Sequence, residues 1–245
     1  MFHFFANAGR RWRARPPAAC RALTTATSTT TTKDALRALL RETGQPVAVV
    51  TSLLPIDGDD QHPSTTHFHG ATLSSFSSIA LDPHPLIAFS LKIPSRMAKS
   101  LKTSMSDPAQ SAMVLNLLSS GQAGTAAVFA RPDLHPKPFE LVQYTLSQDG
   151  LPILSGSLGA LSCSVLKCIP LHTLYETVED EHTGSTNGLV SELFISRVQR
   201  VDAFSRDLLP LLYHRRRYTT IEGRDSKSLL VDALNRIADY GTANR

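Results

Sequence analysis

The sequence predicts a mostly β protein: a β-barrel with a few peripheral helices. Roughly six or seven segments have the length and residue types of strands. Only a few short segments show helical spacing, and no regular alternation of strand and helix indicates a βαβ array. The chain has 245 residues, of which 42% are hydrophobic. This is enough for a packed core in one large domain or two small ones.

The first 33 residues differ in composition from the rest of the chain. Of the 25 Lys and Arg, six lie here, whereas no Asp or Glu does. An Arg-rich and Ser/Thr-rich segment without acids is typical of an organellar transit peptide. We therefore expect import into the mitochondrial matrix and a folded domain over residues 34–245; the alternative is a disordered basic tail. The six cations are Arg10, Arg11, Arg13, Arg15, Arg21 and Lys33.

The remaining chain has no positive excess. Once those six cations are set aside, 19 Lys and Arg stand against 21 Asp and Glu, so charge gives little support for a nucleic-acid partner. The apolar runs have the length of strands, which argues against a membrane span. Cys20, Cys163 and Cys168 form neither a disulfide framework nor a zinc pattern, so no metal is expected.

The elements of the domain follow from spacing and from turn residues. Proline and glycine mark several of their ends. The strand pattern places Cys163 on an apolar face, so we expect a core residue there rather than a nucleophile. The predicted helices are residues 34–43, 95–103, 119–130 and 225–240. The first has Leu36, Leu39 and Leu40 on one face, and the third has Ala123, Ala127 and Phe129 on its apolar face. The predicted strands are residues 47–52, 86–92, 112–118, 157–169 and 192–201.

Three segments read as loops. Residues 55–69 are polar and contain His62, His67 and His69, which we expect to be solvated rather than bound to a metal. Residues 131–138 contain three prolines, and residues 176–191 are acidic and then rich in Gly, Ser, Thr and Asn.

The most informative stretch is residues 70–85. Its hydroxyl side chains are Thr72, Ser74, Ser75, Ser77 and Ser78, and it has little bulk and no charge before Asp82. Small hydroxylated residues on an extended backbone form a surface with many donors and acceptors. A planar heterocycle fits against such a surface with its polar edge bonded to the protein. The alternative is an ordinary Ser-rich edge strand or loop.

A second candidate site follows directly in the chain. Ser95 stands at the predicted start of a helix, and Arg96 comes next. A helix N-terminus with an adjacent arginine is suited to a phosphate group, although a solvated basic helix has the same pattern. No glycine-rich dinucleotide or P-loop motif and no nucleophile elbow occurs, so any nucleotide is bound by another fold.

Taken in order, these segments resemble the flavin reductase-like family of FMN-binding split barrels. The resemblance covers about residues 45–218 and lies in the ordered set of segments rather than in one motif. The segments that carry it are Pro46-Val47-Ala48-Val49-Val50-Thr51-Ser52, residues 71–83, Ser95-Arg96, Leu115-Asn116-Leu117-Leu118 with Gln122 and Phe129-Ala130, residues 150–154 and 161–163, Asp180-Glu181-His182, residues 193–198 and Pro210-Leu211-Leu212-Tyr213.

The resemblance implies an NAD(P)H-dependent flavin reductase with FMN as the flavin and NADH or NADPH as co-substrate. It also implies a homodimer and, in some members, a monooxygenase partner. His182 matches the histidine near the bound nicotinamide. The segment with Thr72, Leu73, Ser74, Ser75, Phe76 and Ser77 matches the flavin-ring contacts, and Ser95 and Arg96 match the phosphate contacts.

The chain departs from the family pattern at three places. Met97 stands where a hydroxyl residue is expected, residues 183–191 are inserted after His182, and Arg216 replaces a small residue. The insertion directly follows His182 and therefore affects where this histidine lies relative to the bound nicotinamide. The alternative function is therefore a barrel that binds flavin or a partner without catalysis.

Overall fold

The computed structural model describes residues 31–54, 68–106, 110–174 and 190–221. Several predictions fall outside these ranges: most of the proposed transit peptide, His62, His67, His182 and the helix at residues 225–240.

Twelve strands and three α-helices are formed within the described residues. The helices are α1 (Thr32–Arg41), α2 (Arg96–Thr103) and α3 (Ala123–Ala130). The strands are β1 (Gln45–Pro46), β2 (Ala48–Leu53), β3 (Phe68–Leu73), β4 (Ser77–Ala80), β5 (Leu86–Ile93), β6 (Met113–Leu117), β7 (Tyr144–Leu146), β8 (Pro152–Leu154), β9 (Gly159–Pro170), β10 (Val190–Phe204), β11 (Leu212–His214) and β12 (Arg217–Thr219). The prediction of a mostly β protein with peripheral helices is confirmed.

Seven strands form the main antiparallel sheet, in the order β3-β2-β6-β9-β10-β5-β4. The two edge strands, β3 and β4, are consecutive in the chain and are joined by residues 74–76 only. A flat sheet of seven strands would separate its edges by about 29 Å, since neighbouring strands lie about 4.8 Å apart. The joining residues span at most about 14 Å at roughly 3.5 Å per residue. The sheet therefore curls until its two edges approach each other.

The curled sheet does not close along its whole length. β4 pairs with β5 only at Leu86, Ile87 and Ala88. Beyond Ala88 this edge of β5 has no partner strand among the described residues, and the outer edge of β3 has none either. Two open strand edges thus face a gap at one end of the barrel.

The main core fills the inside of this barrel. Phe89 and Phe194 stack there with ring centroids 5.6 Å apart, and Cys163 is fully buried among aliphatic neighbours, as predicted. Met97 and Leu101 attach α2 to the same core. Met97 is therefore a packing residue, which explains why a hydroxyl is absent from this position.

A second core lies outside the barrel wall. It packs Val49 of β2 against Ala126 and Phe129 of α3. The prediction of Ala127 on the apolar face of this helix was wrong, because Ala127 is exposed and Ala126 is buried. β11 and β12 join β1 in a small sheet beside this core. The predictions omitted this small sheet and the β7–β8 hairpin.

Two further predictions need correction. Residues 70–85 do not form one extended surface, because they belong to strands on opposite edges of the sheet. Helix α1 was predicted correctly, but it buries none of its residues within the described chain. Among the described residues, no helix combines the length and apolar character that crossing a membrane requires.

Candidate functional site

A cleft of about 750 Å³ occupies the gap between the open edges of β3 and β5. This volume lies within the range of roughly 300–1,000 Å³ that is usual for small-molecule sites. One wall is β3 and the following link, and the facing wall is β5 with the start of α2. The lining residues are Val47, His69, Gly70, Ala71, Thr72, Leu73, Ser74, Ser75, Ser90, Leu91, Lys92, Pro94, Ser95, Arg96, Met97, Phe129, Ala130, Pro132, Tyr213 and Tyr218.

The link between β3 and β4, residues 74–76, is the most distinctive part of the cleft. Its three residues lie between the end of β3 at one edge of the sheet and the start of β4 at the other, and they belong to neither strand. Consequently, within the described chain the three amide N–H groups make no backbone hydrogen bond. Ser74 and Ser75 are exposed and Phe76 is partly exposed, so these amides are open to water or to an acceptor from outside the protein. The hydroxyls of Ser75 and Ser90 approach each other to 3.5 Å across the gap.

Six of the eight predicted flavin-binding residues line this cleft. They are Thr72, Leu73, Ser74, Ser75, Ser95 and Arg96. Phe76 and Ser77 do not line it. Phe76 packs on the barrel core, and Ser77 starts β4, where its hydroxyl donates to the carbonyl of Ser78 at 3.1 Å.

Two of the lining residues have side chains committed to the fold. The Thr72 hydroxyl donates to the carbonyl of Ala126 at 2.8 Å and so ties β3 to α3. Leu73 is buried in the barrel core. These two side chains hold the strand in position, so at these residues only the backbone is available to a ligand.

The opposite end of the cleft is the start of α2. Ser95 is the N-cap, and its hydroxyl accepts from the amide of Ala98 at 3.0 Å, as predicted. Arg96 is exposed, and its guanidinium forms no ion pair with any described residue. An unpaired guanidinium beside a capped helix start is suited to an anionic group.

His69 was predicted to be a solvated loop residue, and this prediction was wrong. It lies in β3 opposite Ser52, is partly buried, and lines the cleft. Burial of the imidazole, with a smaller contribution from the positive charge of Arg96, lowers the pKa of His69 from 6.5 to about 4. The imidazole is therefore neutral at pH 7 and has one donor and one acceptor nitrogen.

An aromatic wall completes the site, and sequence reasoning missed its role. Tyr213 and Tyr218 lie on β11 and β12, with ring centroids 5.5 Å apart. Phe129 of α3 lies close against β3, where a Cβ placed on Gly70 would meet its ring at 2.5 Å. Glycine at position 70 is the condition for this close packing. The small sheet that delivers the tyrosines is too short to be recognised from sequence periodicity.

The described residues contain no group of three or more His, Cys, Asp or Glu side chains suited to hold a metal ion. Burial, followed by the charge of Asp202, raises the pKa of the Cys163 thiol to about 12. Cys163 is therefore a packing residue and lies outside the cleft.

Comparisons with known proteins bear on the family and the fold. The family model of the flavin reductase like domain matches residues 40–222. The reductase subunit HsaB of a flavin-dependent monooxygenase from Rhodococcus jostii (strain RHA1) is 31% identical over 157 residues. The match covers 62% of this chain and 65% of that protein, slightly less than two thirds of its length.

Solved structures share the fold. The NADH:FAD oxidoreductase SgcE6 of Streptomyces globisporus C-1027, in complex with NAD and FAD fragments, has a TM-score of 0.57 and 20% identity, with 80% of this chain and 95% of that chain covered. A homologue of nitrilotriacetate monooxygenase component B from Mycobacterium thermoresistibile has a TM-score of 0.57 and 22% identity, with 79% and 93% covered. These similarities confirm the predicted split barrel. Since the family model spans most of the described barrel, the chain belongs to the flavin reductase-like family.

Proposed function

We propose that this protein is an NAD(P)H-dependent flavin reductase that binds FMN in the cleft between β3 and β5. The link at residues 74–76 is the observation that carries this proposal. It places Ser74 and Ser75, whose amides make no backbone hydrogen bond within the described chain, on the wall of a cleft large enough for a nucleotide. The family supports the same conclusion, because its name describes the reaction.

The chemistry of the lining residues fits a flavin. Ser74 and Ser75 line the cleft, so their amides and hydroxyls are available to the carbonyl and nitrogen edge of a heterocycle. Phe129, Tyr213 and Tyr218 offer apolar surface to the rings. Arg96 supplies the cation for a phosphate, with Ser95 ordering the helix start beside it. Within the described part of the chain, no Asp or Glu that would repel that phosphate lines the cleft.

A bound flavin supplies a ring that takes up a hydride from the C4 of a reduced nicotinamide. The protein's task is then to hold the two rings in contact and to stabilise negative charge. Fixed amides aimed at a developing anion do this without reorganising, as in an oxyanion hole. The proposed role of His182 is to orient the nicotinamide; this residue lies outside the described part of the chain.

Fluorescence titration with FMN tests the binding step. We expect saturation at micromolar concentration or below, about −8 kcal/mol. Ser75→Ala is expected to weaken binding by about fivefold, the equivalent of one hydrogen bond of about 1 kcal/mol. Ser77→Ala is the matched control, since Ser77 lies outside the cleft, and it should leave the affinity unchanged. Absence of saturable binding to the unmodified protein would refute the proposal.

Anaerobic mixing of FMN-loaded protein with NADH, and separately with NADPH, tests the reaction. Flavin absorbance should bleach much faster than that of free FMN with at least one nucleotide. If His182 positions the nicotinamide, His182→Ala should slow the bleaching by about tenfold to a hundredfold with FMN affinity intact. Bleaching no faster than that of free FMN would favour the alternative, a barrel that binds flavin or a partner without catalysis.

Two proposals concern partners. The name of the HsaB relative, a reductase subunit, supports transfer of reduced flavin to a separate monooxygenase. A homodimer is the second proposal, and the exposed apolar side chains of Val201 and Phe204 at the end of β10 support it. Light scattering of the purified protein tests the dimer, and co-purification with a monooxygenase tests the partner.

A further inference from the structure

A smaller cavity adjoins the cleft on the far side of Arg96. It has a volume of about 120 Å³ and is more enclosed than the cleft. Five residues line both spaces: His69, Gly70, Arg96, Phe129 and Pro132. The two spaces therefore adjoin along these shared residues, and Arg96 is the only charged one among them.

The polar side chains that line this side cavity all carry nitrogen donors. Arg96, His69 and His135 bring nitrogen donors from α2, β3 and the loop after α3, respectively. Among the described residues, no Asp or Glu lines the cavity. The nearby carboxylate of Asp133 is already held by Arg131, with an N–O distance of 2.7 Å. A free guanidinium with two imidazoles and no competing acid is a donor set for an anion.

The shape limits what this anion can be. Three of the lining residues are prolines at positions 132, 136 and 138, which have no amide N–H. These three positions therefore offer no backbone donor to an anion. A volume of about 120 Å³ accommodates a phosphate group but not a nucleoside, so a nucleoside attached to that phosphate would lie outside the cavity.

We propose that this side cavity is a second phosphate subsite, so that Arg96 lies between two phosphate positions. This inference rests on the proposed flavin-binding function. It extends that function from a mononucleotide to a dinucleotide, whose two phosphates are adjacent. The second phosphate has two sources, a flavin dinucleotide or the nicotinamide dinucleotide, and the experiment separates them.

The test compares mononucleotides with dinucleotides on His135→Ala. Affinities for FMN and FAD are measured by flavin fluorescence, and those for reduced nicotinamide mononucleotide and NADH by titration of the FMN-loaded protein. His172→Ala is the matched control, because His172 is an exposed histidine that lines neither space. His135→Gln retains a side-chain donor and is expected to restore part of the affinity.

We expect His135→Ala to weaken one dinucleotide about threefold to tenfold and to leave both mononucleotides unchanged. Weaker FAD binding identifies the flavin as the source, and weaker NADH binding identifies the nicotinamide nucleotide. Inorganic phosphate added to the FMN-loaded protein should also shift the NMR signals of His69 and His135. Equal losses for mononucleotides and dinucleotides, or no loss with no phosphate-induced shift, overturn the subsite. Failure of the unmodified protein to bind FMN or FAD overturns the proposed function itself.

Discussion

Gly70 determines how closely α3 approaches β3 at the wall of the cleft. A Cβ at this position would lie 2.5 and 2.6 Å from two carbons of the Phe129 ring. That ring cannot move freely, because it packs against Phe139 with centroids 5.1 Å apart. We expect Gly70→Ala to destabilise the protein by about 1–3 kcal/mol, as overpacking does, and to weaken flavin binding. Thermal unfolding and FMN titration measure the two effects.

Gly124→Ala is the control for this prediction. Gly124 lies in α3, and an added Cβ there would meet no atom within 4 Å. Alanine is favoured over glycine in a helix by roughly 0.5–1 kcal/mol, so this variant should be at least as stable as the parent. If both variants lost similar stability, the contact with Phe129 would not be the cause.

His69 should make stability depend on pH. In the unfolded chain its imidazole takes up a proton near pH 6.5, whereas burial keeps the pKa of native His69 at about 4. Between these values the unfolded state binds more protons, so stability falls as the pH drops. We expect the difference in urea midpoint between pH 7 and pH 4.5 to be smaller in His69→Gln than in the parent. An unchanged difference would show that His69 does not contribute to this dependence.

At the scale of elements, the turn between β11 and β12 has an unusual sequence. Arg215 and Arg216 form its two central positions, with φ of 48° and 64°. Two-residue hairpin turns of this kind favour Asn and Gly, because side chains are strained at positive φ. This gives a physical reason for the expectation, drawn from the family resemblance, of a small residue at position 216. The Arg215 side chain compensates in part by pairing with Glu42 at 2.5 Å, which ties the turn to the end of α1.

Arg216→Gly should therefore stabilise the protein by about 0.5–1 kcal/mol, since glycine adopts a positive φ without strain. Chemical denaturation measures the change. Arg217→Gly is the control: this residue lies in β12 and pairs with His214. There glycine should destabilise by a similar amount, because it weakens a strand. Stabilisation by both changes would indicate an effect of charge rather than of the turn.

The link between β3 and β4 shows how an element boundary creates a site. Its hydroxyl-rich composition predicted polar contacts, but the prediction assumed one continuous surface. The structure places Leu73 and Ser77 on opposite edges of the sheet, and within the described chain the amides between them make no backbone hydrogen bond. We therefore attribute the proposed flavin binding to the interruption of strand pairing and not to the number of serines.

At the scale of the whole molecule, the barrel closes only in part, and the cleft is the part left open. The N-terminal segment lies outside the described residues, so mitochondrial import remains a proposal from its composition. A fluorescent reporter fused behind residues 1–33 should enter mitochondria. Replacing Arg10, Arg11, Arg13, Arg15 and Arg21 with alanine should abolish import. A cytosolic reporter in both cases would contradict the proposal.

The amino-acid sequence by itself determined the elements and their chemistry. The β-rich pattern, the N-cap at Ser95 and the burial of Cys163 were all predicted correctly, because each depends on neighbouring residues along one strand or helix. The order of segments was also sufficient to recognise the family.

Only the tertiary structure decided which residues share the cleft. His69, Phe129 and Tyr213 are far apart in the chain and meet because β3, α3 and β11 are brought together by the curled sheet. The same curvature excludes Ser77 from the site, although it is three residues from Ser74. Periodicity along a strand reveals which face a side chain takes but not which strands become partners. Strand pairing rests on contacts between distant parts of the chain, and the open edges that form this site follow from that pairing.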